Sequence, residues 1–240
     1  LGLIFKNVFG NNFKLIKNLT KKFNTNGEEL LVLDNAEMNI NDGDNIIISG
    51  ENGAGKTTFL KIVGLLDRKY SGDYILDSKS VGDFNEKDMS KYRNEVFGFI
   101  FQEYNLIESE TTYDNILIPL IYSSKYKRAD RKQRIQEISE EFEITEILNK
   151  KVKFLSGGER QKVTIARALV NDPAVILMDE PSNTLNLRMK DKLIEYIEVL
   201  KRKSKTIVVV SHDKYLTDNL KKQDFAEYEL VDGKFCKIVE

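Results

Sequence analysis

The sequence predicts an α/β fold built on a mainly parallel sheet with helices on both faces. Short apolar runs of strand length recur along the 240 residues, helical patterns separate them, and the last two runs close as a hairpin. Strands that alternate with helices are typical of parallel sheets whose faces are covered by those helices. We expect residues 13–240 to form this domain, preceded by an extension at 1–12 that is either an edge strand or a flexible arm.

Composition excludes several classes of function. Lys and Arg number 37 and Asp and Glu 38, which gives a net charge of -1. Nucleic-acid-binding domains usually carry a basic excess, so we expect no nucleic-acid partner. The longest apolar runs, such as "IVVV" from Ile207, have strand length, whereas a membrane-spanning helix needs about 20 apolar residues. A membrane role would therefore need a second polypeptide. The single cysteine, Cys236, fits a reducing compartment.

The N-terminal strands are expected to be antiparallel. "FKLIKNL" from Phe13 and "LLVLDNAEMNI" from Leu30 alternate loosely between apolar and polar residues. The turn "NDGD" at Asn41 separates them from Asn45–Ser49. That run is apolar and β-branched, as a buried parallel strand should be. The sequence thus predicts an antiparallel β subdomain that leads into the parallel sheet.

The middle of the chain changes character after residue 102. Before it, "KTTFLKIVGLL" has apolar residues at helical spacing, and "VFGFIF" at 96–101 has the pattern of a buried strand. Residues 103–153 contain "RADRKQRIQEISEEFEI", in which Ile135, Ile138 and Phe142 make one apolar stripe among charges. We predict a helical subdomain at 103–153, inserted between the two parts of the α/β domain at 13–102 and 154–240.

Strand and helix alternate again in the last part of the chain. "AVILM" from Ala174 and "TIVVVS" from Thr206 are predicted strands. Met189, Leu193 and Ile197 line one face of a helix between them. Two alternating runs around Asp232-Gly233 predict a terminal hairpin, because this dipeptide is a strong turn signal.

A glycine-rich loop predicts a phosphate site. "GENGAGKT", Gly50 to Thr57, matches G-x-x-x-x-G-K-[ST], follows a buried strand and opens a helix. Its glycines let backbone N–H groups point inward at phosphate oxygens, and the helix N-terminus adds partial positive charge. Lys56 should reach the β- and γ-phosphates and the Thr57 hydroxyl should ligate Mg²⁺. The predicted nucleotide contacts of this loop are Gly50, Glu51, Asn52, Gly53, Ala54, Gly55, Lys56, Thr57 and Thr58.

Acidic residues and the only histidine follow two predicted strands. Asp179 ends "AVILMD", a position from which an acid helps to hold Mg²⁺ in phosphate-loop enzymes. Glu180 comes next and could orient and deprotonate an attacking water. His212 directly follows "TIVVVS", at the sheet edge where ligands bind in open α/β folds, and an imidazole there could hydrogen-bond the γ-phosphate.

A second pair of glycines, in "LSGGERQ" from Leu155, has no obvious use in the same site. Ser156 and Glu159 have the spacing of a capping box for the helix "ERQKVTIARALV". Capping does not explain Gly157 and Gly158, since glycine in the first turn lowers helix stability. Bare backbone at a helix N-terminus is a good anion site, but the nucleotide in the chain's own loop already has its shell of N–H groups.

The order of these motifs resembles that of the ATP-binding-cassette (ABC) ATPases, from about Phe13 to the end of the chain. The resemblance implies a P-loop NTPase fold and a head-to-tail dimer. In that dimer each ATP lies between the phosphate loop of one copy and the "LSGG" segment of the other. Ser156, Gly157, Gly158 and Glu159 would then serve the partner's nucleotide.

Other positions match the family one at a time. Glu180 resembles its catalytic base, His212 its switch histidine, and Gln102 the glutamine that touches Mg²⁺ and water. With Lys56, these form the catalytic set that the resemblance implies, and Thr57, Gln102 and Asp179 form the metal set. Phe23 takes the place of an adenine-stacking aromatic, where the family more often has Tyr.

Finer features, "VGLLD" and "YNLIESETTYDNILIPLIYS", resemble the cassettes of lipoprotein-releasing, macrolide-export and antimicrobial-peptide-resistance transporters. The resemblance implies a separately encoded transmembrane permease subunit as partner, and a cytoplasmic location on the inner face of the cell membrane. One position departs from the family pattern. Asn186 stands where an aspartate is common, and we expect hydrolysis to be retained but slowed.

Two alternatives stay open at this point. One is a soluble cassette that works outside transport, and the other is a regulatory ATP-binding module that has lost hydrolysis. Only Asn186 motivates the second. Translation-type cassettes usually carry two copies in one chain and repair-type cassettes carry long coiled insertions, and the sequence shows neither.

Overall fold

The computed structural model describes residues 12–25 and 27–238. The extension predicted at 1–12 therefore lies outside the described residues, except for Asn12, which begins the first strand. The described part contains two sheets with helices packed between and around them.

Ten strands are present in the described ranges. They are β1 (Asn12–Thr25), β2 (Glu28–Asn41), β3 (Asn45–Ser49), β4 (Ser71–Leu76), β5 (Lys79–Ser80), β6 (Phe97–Ile100), β7 (Val175–Asp179), β8 (Thr206–Val210), β9 (Ala226–Val231) and β10 (Lys234–Ile238).

The same ranges contain seven α-helices and three short 3₁₀ turns. The helices are α1 (Lys56–Val63), α2 (Glu86–Glu95), α3 (Thr112–Ile121), α4 (Arg131–Glu141), α5 (Gly157–Leu169), α6 (Leu187–Arg202) and α7 (Lys214–Lys221). The 3₁₀ turns are Val81–Asp83, Thr145–Ile147 and Val152–Phe154.

The central sheet confirms the predicted fold class. Its strand order is β10-β9-β3-β8-β7-β6, and only the β9–β10 hairpin at its edge is antiparallel. The register aligns Ile48 of β3 with Val210 of β8, and Val210 with Asp179 of β7. The residues that follow these three strands therefore meet at one edge of the sheet, where ligands bind in open α/β folds.

Alternate strand residues face two cores. Ile47 of β3 packs into a cluster with residues of α3, α4, α5, α6 and α7. Ile46 and Ile48 face the opposite side and pack with α1, α2 and the antiparallel strands. The strands are apolar on both faces because both faces are covered.

The antiparallel sheet has the order β2-β1-β4-β5 and is larger than the sequence predicted. β1 and β2 each run for 14 residues, and the turn between them includes Gly27 with φ of 87°. β4 and β5, joined by Asp77 and Ser78 with positive φ, were not predicted. Neither was α2, whose Asn85–Asp88 capping box was the available signal.

The segment 103–153 contains α3, α4 and the 3₁₀ turn Thr145–Ile147, and the turn Val152–Phe154 extends one residue beyond its end. α3 begins with a capping box between Thr111 and Asp114. Its apolar residues, with Ile135 and Ile138 of α4, join the same core cluster as Val163 and Ile165 of α5. This packing joins the segment to α5.

Among the described residues, none of the helices has both the length and the hydropathy that crossing a bilayer requires.

Candidate functional site

The phosphate loop connects β3 to α1 through a backbone path that only glycine adopts easily. Gly50 has φ of 135° and Gly55 has φ of 103°. A Cβ on Gly50 would lie 2.6 Å from the carbonyl oxygen of Leu230, and one on Gly55 would lie 2.6 Å from Cγ1 of Val32. Both positions exclude a side chain, so the loop can curl over the first turn of α1.

Lys56 lies inside this loop. Its Nζ donates hydrogen bonds to the carbonyl oxygens of Gly50 at 2.7 Å and Glu51 at 2.8 Å. The residue is only 6% exposed. A buried ammonium group is thus fixed at the N-terminus of α1, where the helix end also favours an anion.

Thr57 and Asp179 form the next contact. The Thr57 hydroxyl donates to Oδ1 of Asp179 at 2.9 Å, which joins α1 to the end of β7. Burial raises the pKa of the Asp179 carboxyl, the hydrogen bond from Thr57 opposes this, and the neighbouring Glu180 raises it further. Two hard oxygen donors lie side by side here, and this is the chemistry that Mg²⁺ prefers.

Glu180 is held in a strained conformation. It has φ of 47°, which is uncommon for a residue other than glycine, and it is 8% exposed. His212 Nδ1 lies 2.7 Å from its Oε1. The Ser211 hydroxyl and the His212 backbone N–H each donate to Oε2 at 3.3 Å. Backbone strain that contacts maintain in this way is typical of active sites.

Sequence reasoning missed the residues behind this pair. The Ser182 hydroxyl donates to Oδ2 of Asp213 at 2.7 Å, and Lys190 Nζ lies 2.5 Å from the same oxygen. Asp213 also caps α7 through the N–H of Tyr215. The segment after Glu180, the segment after His212 and the first turn of α6 are therefore tied together. "SHD" directly after a buried strand was the only sequence signal for this tie.

The "LSGGERQ" segment forms the predicted capping box. The Ser156 hydroxyl accepts from the Glu159 N–H at 3.3 Å, and Glu159 Oε2 accepts from the Ser156 N–H at 2.7 Å. Hydrogen bonds from Ser156 lower the pKa of Glu159. α5 starts at Gly157, two residues before the helix predicted from the sequence.

The two glycines of α5 have room around them. A Cβ on Gly157 would lie 3.5 Å from Oη of Tyr104, and one on Gly158 would lie 3.3 Å from Cε of Met189. The first is an ordinary contact, and the second meets the end of a flexible side chain. Packing within the described part of the chain therefore does not require glycine at 157.

The structure brings together some of the predicted site residues and leaves others apart. Lys56, Thr57, Asp179, Glu180 and His212 meet at the carboxyl edge of β3, β7 and β8. Within the described ranges, the side-chain hydrogen bonds of Ser156 and Glu159 stay in their own cap and with Lys150. The capped end of α5 is thus available to a group from outside the chain.

Gln102, Phe23 and Asn186 are exposed. Gln102 lies two residues beyond β6, the strand paired with β7. Phe23, on β1, is 41% exposed, and Lys21 Nζ lies 4.7 Å from its ring centroid. Asn186 caps α6, because its Oδ1 accepts from the Met189 N–H at 3.1 Å.

Comparison with known proteins identifies the family. The family model described as "ABC transporter" matches residues 33–183. The chain is 34% identical to the lipoprotein-releasing system ATP-binding protein LolD of Treponema denticola over 225 residues, which cover 93% of this chain and 97% of that protein. It is 37% identical to the macrolide export ATP-binding/permease protein MacB of Mannheimia succiniciproducens, over 83% of this chain and 31% of that protein. Both fit the transporter group that the sequence resembles.

A solved structure agrees. The fold matches the dimeric, post-hydrolysis structure of the ATP-binding cassette MJ0796 bound to ADP and Pi, with a TM-score of 0.84 and 32% identity over 94% of this chain and 97% of that chain. MJ0796, from Methanocaldococcus jannaschii, is an uncharacterized ABC transporter ATP-binding protein. The chain belongs to the family of ABC transporter ATP-binding proteins.

Proposed function

We propose that the chain is the ATP-hydrolysing subunit of an ABC transporter, and that it works as a pair of copies which share two nucleotides. The observation that carries the proposal is the cluster of Lys56, Thr57, Asp179, Glu180 and His212 at one sheet edge. It combines a phosphate cradle with a carboxylate that is positioned by a histidine. A phosphate cradle and a residue that orients the attacking water are recurring parts of sites that transfer a terminal phosphate.

Glu180 is the proposed general base. Its carboxylate receives hydrogen bonds from the Ser211 hydroxyl and the His212 backbone N–H, and it lies against the His212 ring. These contacts fix the direction of the carboxylate before substrate arrives, so that a water next to the γ-phosphate would lose its proton to an oriented acceptor. His212 thus has two proposed roles, to position Glu180 and to meet the γ-phosphate.

The phosphate loop and Lys56 are proposed to hold the triphosphate. Lys56 would exchange its carbonyl partners in the loop for the β- and γ-phosphates. Thr57, Asp179 and Gln102 are the residues that would hold Mg²⁺, which neutralises phosphate charge when it is bound. Phe23 would stack on adenine through its exposed surface.

A second copy is proposed to complete each site. Ser156, Gly157 and Gly158 present hydrogen-bonding groups and the positive end of α5, and the chain's own phosphate loop makes no contact with them among the described hydrogen bonds. A nucleotide bound to a partner copy would supply the anion. The dimeric form of the MJ0796 cassette supports this arrangement.

The permease partner is proposed from the relatives. LolD is named as part of a lipoprotein-releasing system, and MacB carries its ATP-binding and permease parts in one protein. For this chain we propose a separately encoded membrane subunit, which would hold the ATPase at the inner face of the cell membrane. The segment 103–153 is the proposed docking subdomain.

The first experiment measures phosphate release by the purified chain and by Lys56→Ala. We expect ATP-dependent turnover in the wild type and a loss of about 100-fold in the variant, because one preorganised donor to the transferred phosphate is removed. Lys91→Ala, at an exposed position of α2, is the matched control and should keep wild-type turnover. Equal rates in Lys56→Ala and the wild type would contradict the proposed site.

Purification from detergent-solubilised membranes tests the transport role. We expect a protein with several membrane spans to co-purify with the tagged chain. Recovery of the chain without any membrane protein, while ATPase activity is intact, would favour the soluble non-transport alternative.

A further inference from the structure

A cavity of about 270 Å³ lies between α5 and α6, outside the cluster around Lys56. Ile165 and Leu193, both almost fully buried, line its apolar part. Met189 and Tyr196 of α6 complete this apolar wall. Almost all of the lining surface is apolar, which is typical of a small-molecule pocket with a few polar groups at its edge.

The polar groups of this pocket are mainly cationic. Lys162 of α5 and Arg188 and Lys192 of α6 contribute to its lining. Glu143 is the carboxylate near two of them, at 3.0 Å from Lys162 Nζ and 3.9 Å from Lys192 Nζ. Within the described part of the chain, Arg188 makes no ion pair. Two of the three cations thus share one exposed carboxylate and Arg188 has no carboxylate partner among the described residues, which leaves a positive edge beside an apolar wall.

We propose that this pocket binds a single-chain amphipathic carboxylate. The apolar wall suits a hydrocarbon chain and the cationic edge suits the carboxylate, since a charge-assisted hydrogen bond to Arg or Lys is about twice as strong as a neutral one. At about 30 Å³ per water, the cavity volume equals about nine waters. An acyl chain of about eight carbons is of this size.

The pocket also touches two segments of the proposed ATPase site. Gly158 and Asn186 belong to its lining, and Met189 lies between them, with its Cε close to Gly158 and its N–H bonded to Asn186. An occupant would press on Met189 and thereby on the start of both helices. We infer that it changes the ATPase rate, and this second part rests on the proposed function.

Binding can be read at a single methyl group. The chain has four methionines, and Met38, Met89 and Met178 are buried away from the pocket lining. In protein labelled with ¹³C at the methionine methyls, octanoate should shift the Met189 signal alone, saturably and below about 1 mM. Met189→Leu assigns the signal. Octanol and octylammonium, which keep the chain but change the charge, should bind at least tenfold more weakly.

A charge-reversal variant tests the cationic edge. Arg188→Glu/Lys192→Glu changes exposed or half-buried side chains, and circular dichroism checks that the fold is kept. We expect octylammonium, rather than octanoate, to shift the Met189 signal in this variant. Shifts of all four methyls, equal effects of the three probes, or unchanged octanoate binding in the variant would overturn the proposed site.

The effect of the occupant on the ATPase rate is tested separately from its binding. Adding octanoate should change the rate of phosphate release by the wild type. Adding it to the charge-reversal variant should not change that variant's rate. Saturable binding at Met189 with no change in rate would overturn the coupling while the pocket assignment stands. Because the methyl signal needs no ATP hydrolysis, failure of the proposed ATPase function would be seen as a different result, namely binding without any turnover in either protein.

Discussion

Glu180 combines three properties that rarely occur together at one residue. It has a positive φ, it is nearly buried, and its carboxylate contacts Ser211 and His212. Strain of this kind costs of order 1–3 kcal/mol and persists where surrounding contacts maintain it. The proposed catalytic role of Glu180 would account for this cost.

Glu180→Gln should lower ATP turnover by about 100-fold or more, because a general base contributes 10²–10⁴. Gln keeps an oxygen that can accept hydrogen bonds from Ser211 and the His212 backbone, so ATP binding should be retained and the ATP-bound dimer should accumulate. Phosphate release and size-exclusion chromatography measure the two effects. Glu195→Gln, on α6, is the control. Turnover at the wild-type rate in Glu180→Gln would show that another group is the base.

At Asp179 the proposed metal-binding role would oppose the stability of the folded chain. Burial raises its folded-state pKa, so its contribution to stability is greatest below the ordinary value of 3.8 and is lost as the pH rises through the raised value. Asp179→Asn keeps an oxygen for Thr57 and removes the charge. At pH 7 without nucleotide we expect the variant to melt a few degrees higher, and Mg²⁺ with ATP to stabilise it less than the wild type.

Differential scanning fluorimetry across pH measures this effect. Asp218→Asn, on the exposed side of α7, should leave the melting temperature unchanged. A lower melting temperature for Asp179→Asn at pH 7 would mean that the carboxylate stabilises the fold. The stability cost that we attribute to a metal-binding role of Asp179 would then be absent.

At the scale of elements, α5 begins with residues that a helix would not select for its own stability. Gly157→Ala should raise helix stability by up to about 1 kcal/mol, because Ala is the better helix former and the site has room for a Cβ. The same methyl would stand between the helix N-terminus and a partner's phosphate. We therefore expect equal or higher thermal stability with at least about tenfold lower turnover.

Gly82→Ala is the matched control for this substitution. Gly82 is exposed and has an ordinary φ, and a Cβ there would lie 3.4 Å from the Ser80 hydroxyl. It should leave turnover unchanged. If Gly157→Ala hydrolyses ATP as fast as the wild type, the glycine pair has no role at the nucleotide.

α6 begins directly after Asn186, the position at which the family resemblance led us to expect an aspartate. Asn186 caps the helix through its oxygen, and aspartate would cap it equally and interact favourably with the helix N-terminus, by about 0.3–1 kcal/mol. Asn186→Asp should therefore keep or raise stability and increase turnover several-fold. Steady-state ATPase rates test this. A wild-type dimer that binds ATP without any hydrolysis would contradict our expectation that activity is retained.

Sequence predicted the elements whose patterns are strong. β3, β7 and β8 are apolar on both faces, and the α5 capping box is visible as Ser156 and Glu159. β4, β5 and α2 were missed, because they are short or polar and depend on packing against β1 and the core. The 14-residue lengths of β1 and β2 were also missed, since their exposed ends lack the alternation that burial imposes.

The candidate site residues that belong to a sequence motif could be named from the sequence. The contacts between them that depend on the topology of the sheet could not. Lys56, Thr57, Asp179, Glu180 and His212 all stand out by motif or by position after a strand. That His212 contacts Glu180, and that Asp213 ties Ser182 to Lys190, depends on the register of β7 with β8. A single sequence carries no direct signal of that register.

At the scale of the molecule, the proposed site would be divided between two separate parts of the chain. The phosphate loop lies at the edge of the central sheet, and the capped end of α5 makes no described contact with it. A nucleotide held on both sides would therefore need two copies. Each copy would give its phosphate loop to one nucleotide and its Ser156–Gly158 segment to the other.

Mixing two inactive variants tests this claim most directly. Lys56→Ala removes the phosphate contact and Ser156→Arg blocks the end of α5, so each variant alone should have little turnover. In a mixed dimer, the intact loop of one copy faces the intact α5 of the other. We predict that mixing restores phosphate release that neither variant shows alone, at a level that follows the fraction of mixed dimers. A mixture no more active than the sum of its parts, or a wild-type monomer that hydrolyses ATP at the full rate, would contradict the account.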